Sequence, residues 1–275
     1  MATIADVEKV DAGRGVKALK CATIFWFAVT ALGQWIFLAY VLAVYGGPLL
    51  ANNLPAWNDH FSSAFIPGNW LNNISAIAHM ALAVVILGGG PLQLIPQIRS
   101  RYPTFHRWLG RSYLVALVVT AVAGLYLLAN RDVGGLPMKL GFILQGVLIL
   151  WFAVQAYRRA RARRFVDHRR WALRLFMVAS AVWYFRILMM IWVALTGGVG
   201  LDFETGKGWF LDMMSFGQYL PLLLLELYFR TTEQPNRKLG ESGQLILAGC
   251  LAIAGLATAL GVAMATLGMW LPEMV

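Results

Sequence analysis

Arg186 stands in an otherwise apolar run. Residues 168–195 open on His168, Arg169, Arg170, Trp171 and Arg174, then continue apolar through Leu175, Phe176, Val182, Phe185, Ile187, Leu188, Ile191 and Val193. The stretch exceeds the roughly 20 apolar residues that a bilayer crossing requires. At about 1.5 Å per residue, Arg186 lies roughly 27 Å along the helix from His168. Arginine keeps its proton in proteins, so a full charge sits well inside the membrane, at a cost of about 2.5–3.5 kcal/mol near a helix centre. Four further polar side chains fall at a similar depth when counted from the outer helix ends: Gln34, His79, Gln145 and Gln218. Together the five occupy a slab roughly 10–17 Å below the outer surface. No acid shares it; the nearest outer acids are Asp202, Glu204 and Asp212. Two chemistries follow. Arg186 can grip an anionic or strongly accepting ligand group with the paired hydrogen bonds of a guanidinium. Alternatively, the glutamines and backbone carbonyls solvate Arg186 as structural glue.

A second constellation is the pair His106 and His168, both at the cytoplasmic ends of helices. Neutral imidazoles facing each other from two helices can hold haem iron axially, here haem b. Arg111 and Arg174 could contact the propionates. The competing assignment is two interfacial histidines bonding lipid headgroups or loop carbonyls. His79 is buried deeper but has no second histidine at its depth, and His60 reaches inward only if its outer loop folds over. The chain has no HExxH, CxxC, P-loop or nucleophile elbow, and Gly88-Gly89-Gly90 is not followed by Lys-Ser/Thr. No metal site beyond haem iron is expected. Cys21 and Cys250 read as small apolar packers in a reducing compartment, without a disulfide. Glu226 is expected to snorkel or to pair with Arg230.

These residues need helices to position them. The 275-residue chain is 59% hydrophobic and only 13% charged, against about 25% charged in soluble domains. This is a membrane protein. A formal net charge of +10 would suggest nucleic acid in a soluble protein; here the basic residues flank apolar runs, so no nucleic-acid partner is expected. The pattern predicts an all-α polytopic bundle of seven transmembrane helices: about 21–45, 71–97, 108–129, 138–157, 168–195, 209–229 and 244–271. Gly88-Gly89-Gly90-Pro91 should kink or break the second, and Pro221 the sixth. The aromatic loop between the first two, with Trp57, Phe61, Phe65 and Trp70, suits an interface. Lys9, Arg14, Lys17, Lys20 and the turns after helices two, four and six hold nearly all Lys and Arg, while the other side holds only Arg131, Lys139 and Lys207. The positive-inside rule places the amino terminus in the cytoplasm and the carboxyl terminus outside. Residues 1–275 form one membrane domain, with helices two to five (about 71–195) as the core and helix seven peripheral. The lipid bilayer is the expected partner, with anionic lipid at Arg158, Arg159, Arg161, Arg163 and Arg164.

Gly90-Pro91-Leu92-Gln93, His106-Arg107 with Gly110-Arg111, His168 with Trp171 and Arg174, and Arg186 resemble a family of predicted bacterial membrane proteins known as a domain of unknown function. The resemblance covers roughly residues 79–195. It implies a multi-span protein of the bacterial inner membrane and brings no activity. A looser likeness is to two-haem cytochromes of the b561 type, whose core helices carry paired histidines in alternation. His106 and His168 match that alternation; a second pair is incomplete. The expectations for activity are therefore a b-type haem or quinone-linked redox protein, or a non-enzymatic binding or transport protein for a small anionic or amphiphilic ligand.

Overall fold

A computed structural model describes residues 13–60, 64–131, 134–202, 205–232 and 239–274. Lys9, Phe61, Asp132 and Glu204 lie outside the described residues. The chain is built from helices, as lipid demands: with no water to bond them, backbone groups must be satisfied within the segment. The main elements are α1 (Arg14–Val41), α2 (Trp70–Leu94), α3 (Pro103–Asn130), α4 (Leu136–Arg161), α5 (Phe165–Ala179), α6 (Ala181–Thr196), α7 (Trp209–Gly217), α8 (Leu220–Thr232) and α9 (Glu241–Ala265). A π turn, Leu42–Gly46, and the short helix Gly47–Leu50 carry α1 onward, so the first span is Arg14–Leu50. Local signals set several ends. The Asn69 side chain accepts from Asn72 N at the start of α2, a cap that satisfies an orphan donor. Gly197 at φ 69° closes α6 in the left-handed conformation.

Among the described residues, five helices are long and apolar enough to cross a membrane, or six if α5 and α6 count as one bent span. Against the expected seven helices, kinked or broken at Gly88-Gly89-Gly90-Pro91 in the second and at Pro221 in the sixth, the structure places its breaks differently. The fifth is broken at Ser180 by a 44° bend. The sixth is two short helices, α7 and α8, that part at Gln218 and Tyr219, one turn earlier than the Pro221 signal suggested. The second helix corrects the expectation in the other direction. It runs unbroken through Gly88-Gly89-Gly90-Pro91 and stops at Ile95, whose extended backbone precedes Pro96. The glycines serve packing: a Cβ at Gly90 would stand 3.1 Å from the Tyr113 ring and 3.3 Å from Phe176.

Helix seven of the sequence pattern, expected at the periphery, packs along α1 and against α6. Small residues allow it. A Cβ at Gly33 would meet Trp183 and Val262 at 2.6 Å, and one at Gly255 would meet Phe25 at 2.6 Å; such glycines let helix backbones approach closely in membranes. Leu175, Val178, Ala181 and Ile187 of the bent span are almost wholly buried, so α5 and α6 run through the middle of the bundle. Cys21 and Cys250, expected to pack inside, are exposed.

Candidate functional site

The break at Ser180 gathers two of the expected slab residues. Ser180 Oγ donates to Phe176 O at 2.8 Å. Gln34 on α1 donates from Nε2 to Ser180 Oγ at 2.7 Å. Gln145 on α4 donates from Nε2 to Val178 O at 2.9 Å. One turn further on, Thr30 and Tyr184 share a hydrogen bond of 3.0 Å. Gln34, Gln145 and Ser180 are all buried. Two neighbouring helices thus supply side-chain amides to a bent backbone, where an unpaired carbonyl in lipid costs several kcal/mol or more. Gln218 is equally local: its Nε2 donates to Ser215 O at 2.6 Å, within its own broken helix. None of these three glutamines donates to or accepts from Arg186. His79 is held elsewhere too. Its Nδ1 lies 3.2 Å from Thr120 O on α3, and Gly124 makes room for the ring, since a Cβ there would stand 3.2 Å from Cε1.

Arg186 sits less than two turns past the break, half-buried, with its Cζ 5.5 Å from the centre of the Phe37 ring. Its Nε is buried and has no hydrogen-bond partner among the described residues. No described carboxylate pairs with it. Its charge reaches Tyr40 and Tyr45 at the end of the first span and His79 on α2. Cation–π contact with Phe37 offsets part of the cost of the charge; the guanidinium donors are left for something else.

Around Arg186 the structure assembles residues that were not singled out by composition or depth. Tyr40 Oη donates to Glu273 Oε2 at 2.7 Å. His60 Nδ1 stands 3.2 Å from the same oxygen. Phe37 and Tyr40 pack on Trp270 with ring centroids 5.0 and 6.2 Å apart. The segment of residues 51–60 does fold inward: Trp57, expected at the interface, is buried and donates to Tyr45 O at 3.0 Å, which brings His60 edge-on to Tyr45. So His60 arrives at Glu273, not at His79. Among the described acids, the one bonded to Tyr40 is Glu273, from the far end of the chain. Asp202 is tied to Thr205 and exposed, and Asp212 accepts from Met138 N at the start of α4. The available signal was the spacing of Phe37 and Tyr40, one turn apart at the depth of Arg186, and the single acid near the end of the last helix.

At the opposite, arginine-rich end, His106 lies on α3 and His168 on α5, with no hydrogen bond or ring contact between them. His168 Nδ1 lies 2.9 Å from Ala156 O. A carbonyl only accepts, so Nδ1 carries a proton, and in the neutral ring Nε2 keeps its lone pair. His106 Nδ1 is buried without a partner among the described residues. Arg111 stacks 5.0 Å over Trp108. Arg174 makes two hydrogen bonds to Glu226, of 2.5 and 3.0 Å, and lies against Trp171 and Phe229. That corrects the assignment of Glu226 to Arg230: the acid reaches α5 because α8 packs there, and Arg174 offers a two-pronged fork. Of the basic turn, Arg164 pairs with Asp167 at 2.7 Å and Arg159 with Gln155 at 2.6 Å, while Arg161 and Arg163 are exposed. Among the described residues no three His, Cys, Asp or Glu side chains cluster as a metal site.

Helices of this length and apolarity, with polar groups turned inward at two depths, define a multi-pass membrane protein. The chain belongs to the DUF2306 family of predicted membrane proteins, whose model matches residues 76–224, more than half its length. The match takes in His79, His106, His168, Ser180 and Arg186; Phe37, Tyr40, His60 and Glu273 lie outside it. No curated protein and no solved structure matches the chain.

Proposed function

We propose that the protein binds, and exchanges across part of the membrane, a small anionic or amphiphilic ligand at Arg186. The observation that carries this is the unpartnered guanidinium: a charge inside the membrane whose buried Nε meets no acceptor, beside aromatic rings. An intramembrane charge is functional by default. The ligand's acidic group would take the guanidinium donors, and its apolar body would lie against Phe37, Tyr40 and Trp270. The positive-inside rule makes the arginine-rich end cytoplasmic, which turns the Arg186 end of the bundle outward in the cytoplasmic membrane. Counting α5–α6 and α7–α8 each as one broken crossing restores seven passes and leaves the carboxyl terminus outside. Of the predicted slab, Gln34 and Gln145 serve the scaffold, His79 is held by Thr120 on α3, and Gln218 donates within its own helix while its buried Oε1 meets no partner among the described residues.

Arg186→Gln tests it. Binding of an amphiphilic anion should disappear while folded yield stays at or above wild type, because the membrane cost of the charge goes too. Arg186→Lys keeps the charge but loses the planar fork, and should weaken binding roughly 10- to 150-fold, the worth of one charged hydrogen bond. Failure of Arg186→Gln to accumulate would make the arginine structural.

A second reading, a b-type haem or quinone-linked redox protein, is favoured by one feature: the His168 ring is held by Ala156 O through Nδ1, which leaves Nε2 to face a ligand. A carbonyl accepting from Nδ1 is one way proteins orient a ligating imidazole. Arg174, however, would have to leave Glu226 to meet a propionate. A reduced-minus-oxidised haem spectrum that His168→Ala removes would establish this reading; colourless protein from haem-sufficient cells would end it. The exposed Arg161 and Arg163 of the basic turn suit anionic lipid headgroups.

A further inference from the structure

We infer that Glu273 and His60 form an electrostatic gate over Arg186, and that anion binding there is linked to the uptake of one proton; this rests on the Arg186 reading. Glu273 is the acid bonded to Tyr40, whose ring packs against Tyr45 on one side and Phe37 on the other. Tyr40 thus links Glu273 to Arg186, donating to Glu273 at 2.7 Å while its neighbour Phe37 lies under the guanidinium. An anion approaching from the outer face therefore meets the Glu273 carboxylate before it meets Arg186.

The groups facing Glu273 are Tyr40 from α1, Tyr45 from the π turn, His60 from the loop and, beyond the tyrosines, Arg186 from α6. The His60–Glu273 pair carries a net charge of −1 when the imidazole is neutral. Taking up one proton makes it neutral overall, whichever atom holds that proton. The repulsion of an incoming anion then falls away, and Arg186 attracts it unopposed. The direction follows without assigning the proton: affinity rises as lower pH loads that proton onto the pair. A neutral ligand would show no such dependence. The loaded site, with the anion on Arg186 and the proton on the rim, takes on no net charge, which suits passage through a low-dielectric layer.

The test uses octanesulfonate, which stays anionic throughout, titrated calorimetrically into the full-length protein in phosphatidylcholine nanodiscs. Wild type should bind several-fold more tightly at about pH 5.5 than at about pH 7.5. Glu273→Gln keeps the shape and the hydrogen-bonding capacity of the side chain but removes the charge. It should bind about 10-fold more tightly than wild type at the higher pH, the scale of one charge acting at about 10 Å through a partly screened medium. It should also lose most of the pH dependence. Glu273→Gln binding no tighter than wild type, with Arg186→Gln still abolishing binding, overturns the gate and leaves the Arg186 site standing. Octanesulfonate binding that Arg186→Gln leaves intact, or no binding by wild type and Glu273→Gln at either pH, overturns both.

Discussion

Ser180 and Arg186 lie less than two turns apart on one bent span, and their surroundings differ in kind. At Ser180 the polar groups are matched: Gln34 to the serine, the serine to Phe176 O, Gln145 to Val178 O, Thr30 to Tyr184. At Arg186 the strongest polar group in the span meets an aromatic ring and no acceptor. Both layers place polarity where lipid penalises it. The first answers most of the penalty from within the protein, leaving the indole N–H groups of Trp26 and Trp183 beside Tyr184 without a partner among the described residues; the second answers it only with a ring. Side chains that bond each other across helices are glue; a charge that the fold surrounds without answering is prepared for a molecule that is not part of the chain. The contrast also separates two roles that residue type and depth alone made look the same.

The sharpest way to break that contrast is to remove the glue. Gln34→Leu combined with Gln145→Leu takes both amides from the bend and leaves Val178 O and Ser180 Oγ without them. The expected cost is about 1–3 kcal/mol, bounded above by the penalty for unmet buried groups and below by measured interhelical bonds in membranes. Unfolding in mixed micelles of increasing sodium dodecyl sulfate measures it. Arg186→Gln in the same assay should match or exceed wild type. Equal destabilisation by both variants would mean that the two layers are one structural network, and the distinction between them would be lost.

That layering was only partly legible in the amino-acid sequence. Apolar runs bounded by arginine showed the membrane class and most of the helices, because lipid imposes a length and leaves little choice of backbone. Arg186 was equally plain, as the one charge deep in its run. The bend at Ser180 was not, because Ser180-Ala181 carries neither glycine nor proline; the break is fixed by amides arriving from α1 and α4, and those are tertiary. Gly88-Gly89-Gly90-Pro91 misled for the complementary reason. Its glycines admit Tyr113, Leu109 and Phe176 to the helix surface and leave the helix intact. Gln34 and Gln145 were found by depth but assigned to the wrong neighbour, since depth fixes a layer and not the direction a side chain takes around its helix. Glu273 was overlooked because it is distant in the chain, and it comes near Tyr40 only because the last span packs along the first.

The smallest effects set the two layers against each other with one atom. Tyr184→Phe removes the hydroxyl that bonds Thr30 at 3.0 Å in the matched layer. Tyr40→Phe removes the hydroxyl that bonds Glu273 in the open one. Tyr184 is buried among Trp26, Trp183 and Thr30, so losing its hydroxyl strands a threonine hydroxyl that can still turn to a backbone carbonyl. The cost should be near the membrane average of about 0.6 kcal/mol, and anion binding should not change. Thr30→Val added to Tyr184→Phe should cost little more, because both ends of the bond are then apolar. Tyr40→Phe should do the reverse. Glu273 is accessible enough to rehydrate, so stability should hold within about 0.5 kcal/mol, the scatter of ordinary surface changes. Its carboxylate, no longer tethered to Tyr40, should swing away from the approach to Arg186, and octanesulfonate should bind modestly more tightly at neutral pH. The decisive quantity is the crossing of the two assays. If Tyr184→Phe alters binding, or Tyr40→Phe alters stability more than Tyr184→Phe does, the hydroxyls report one continuous network, and the open layer around Arg186 is a defect in packing and not a site.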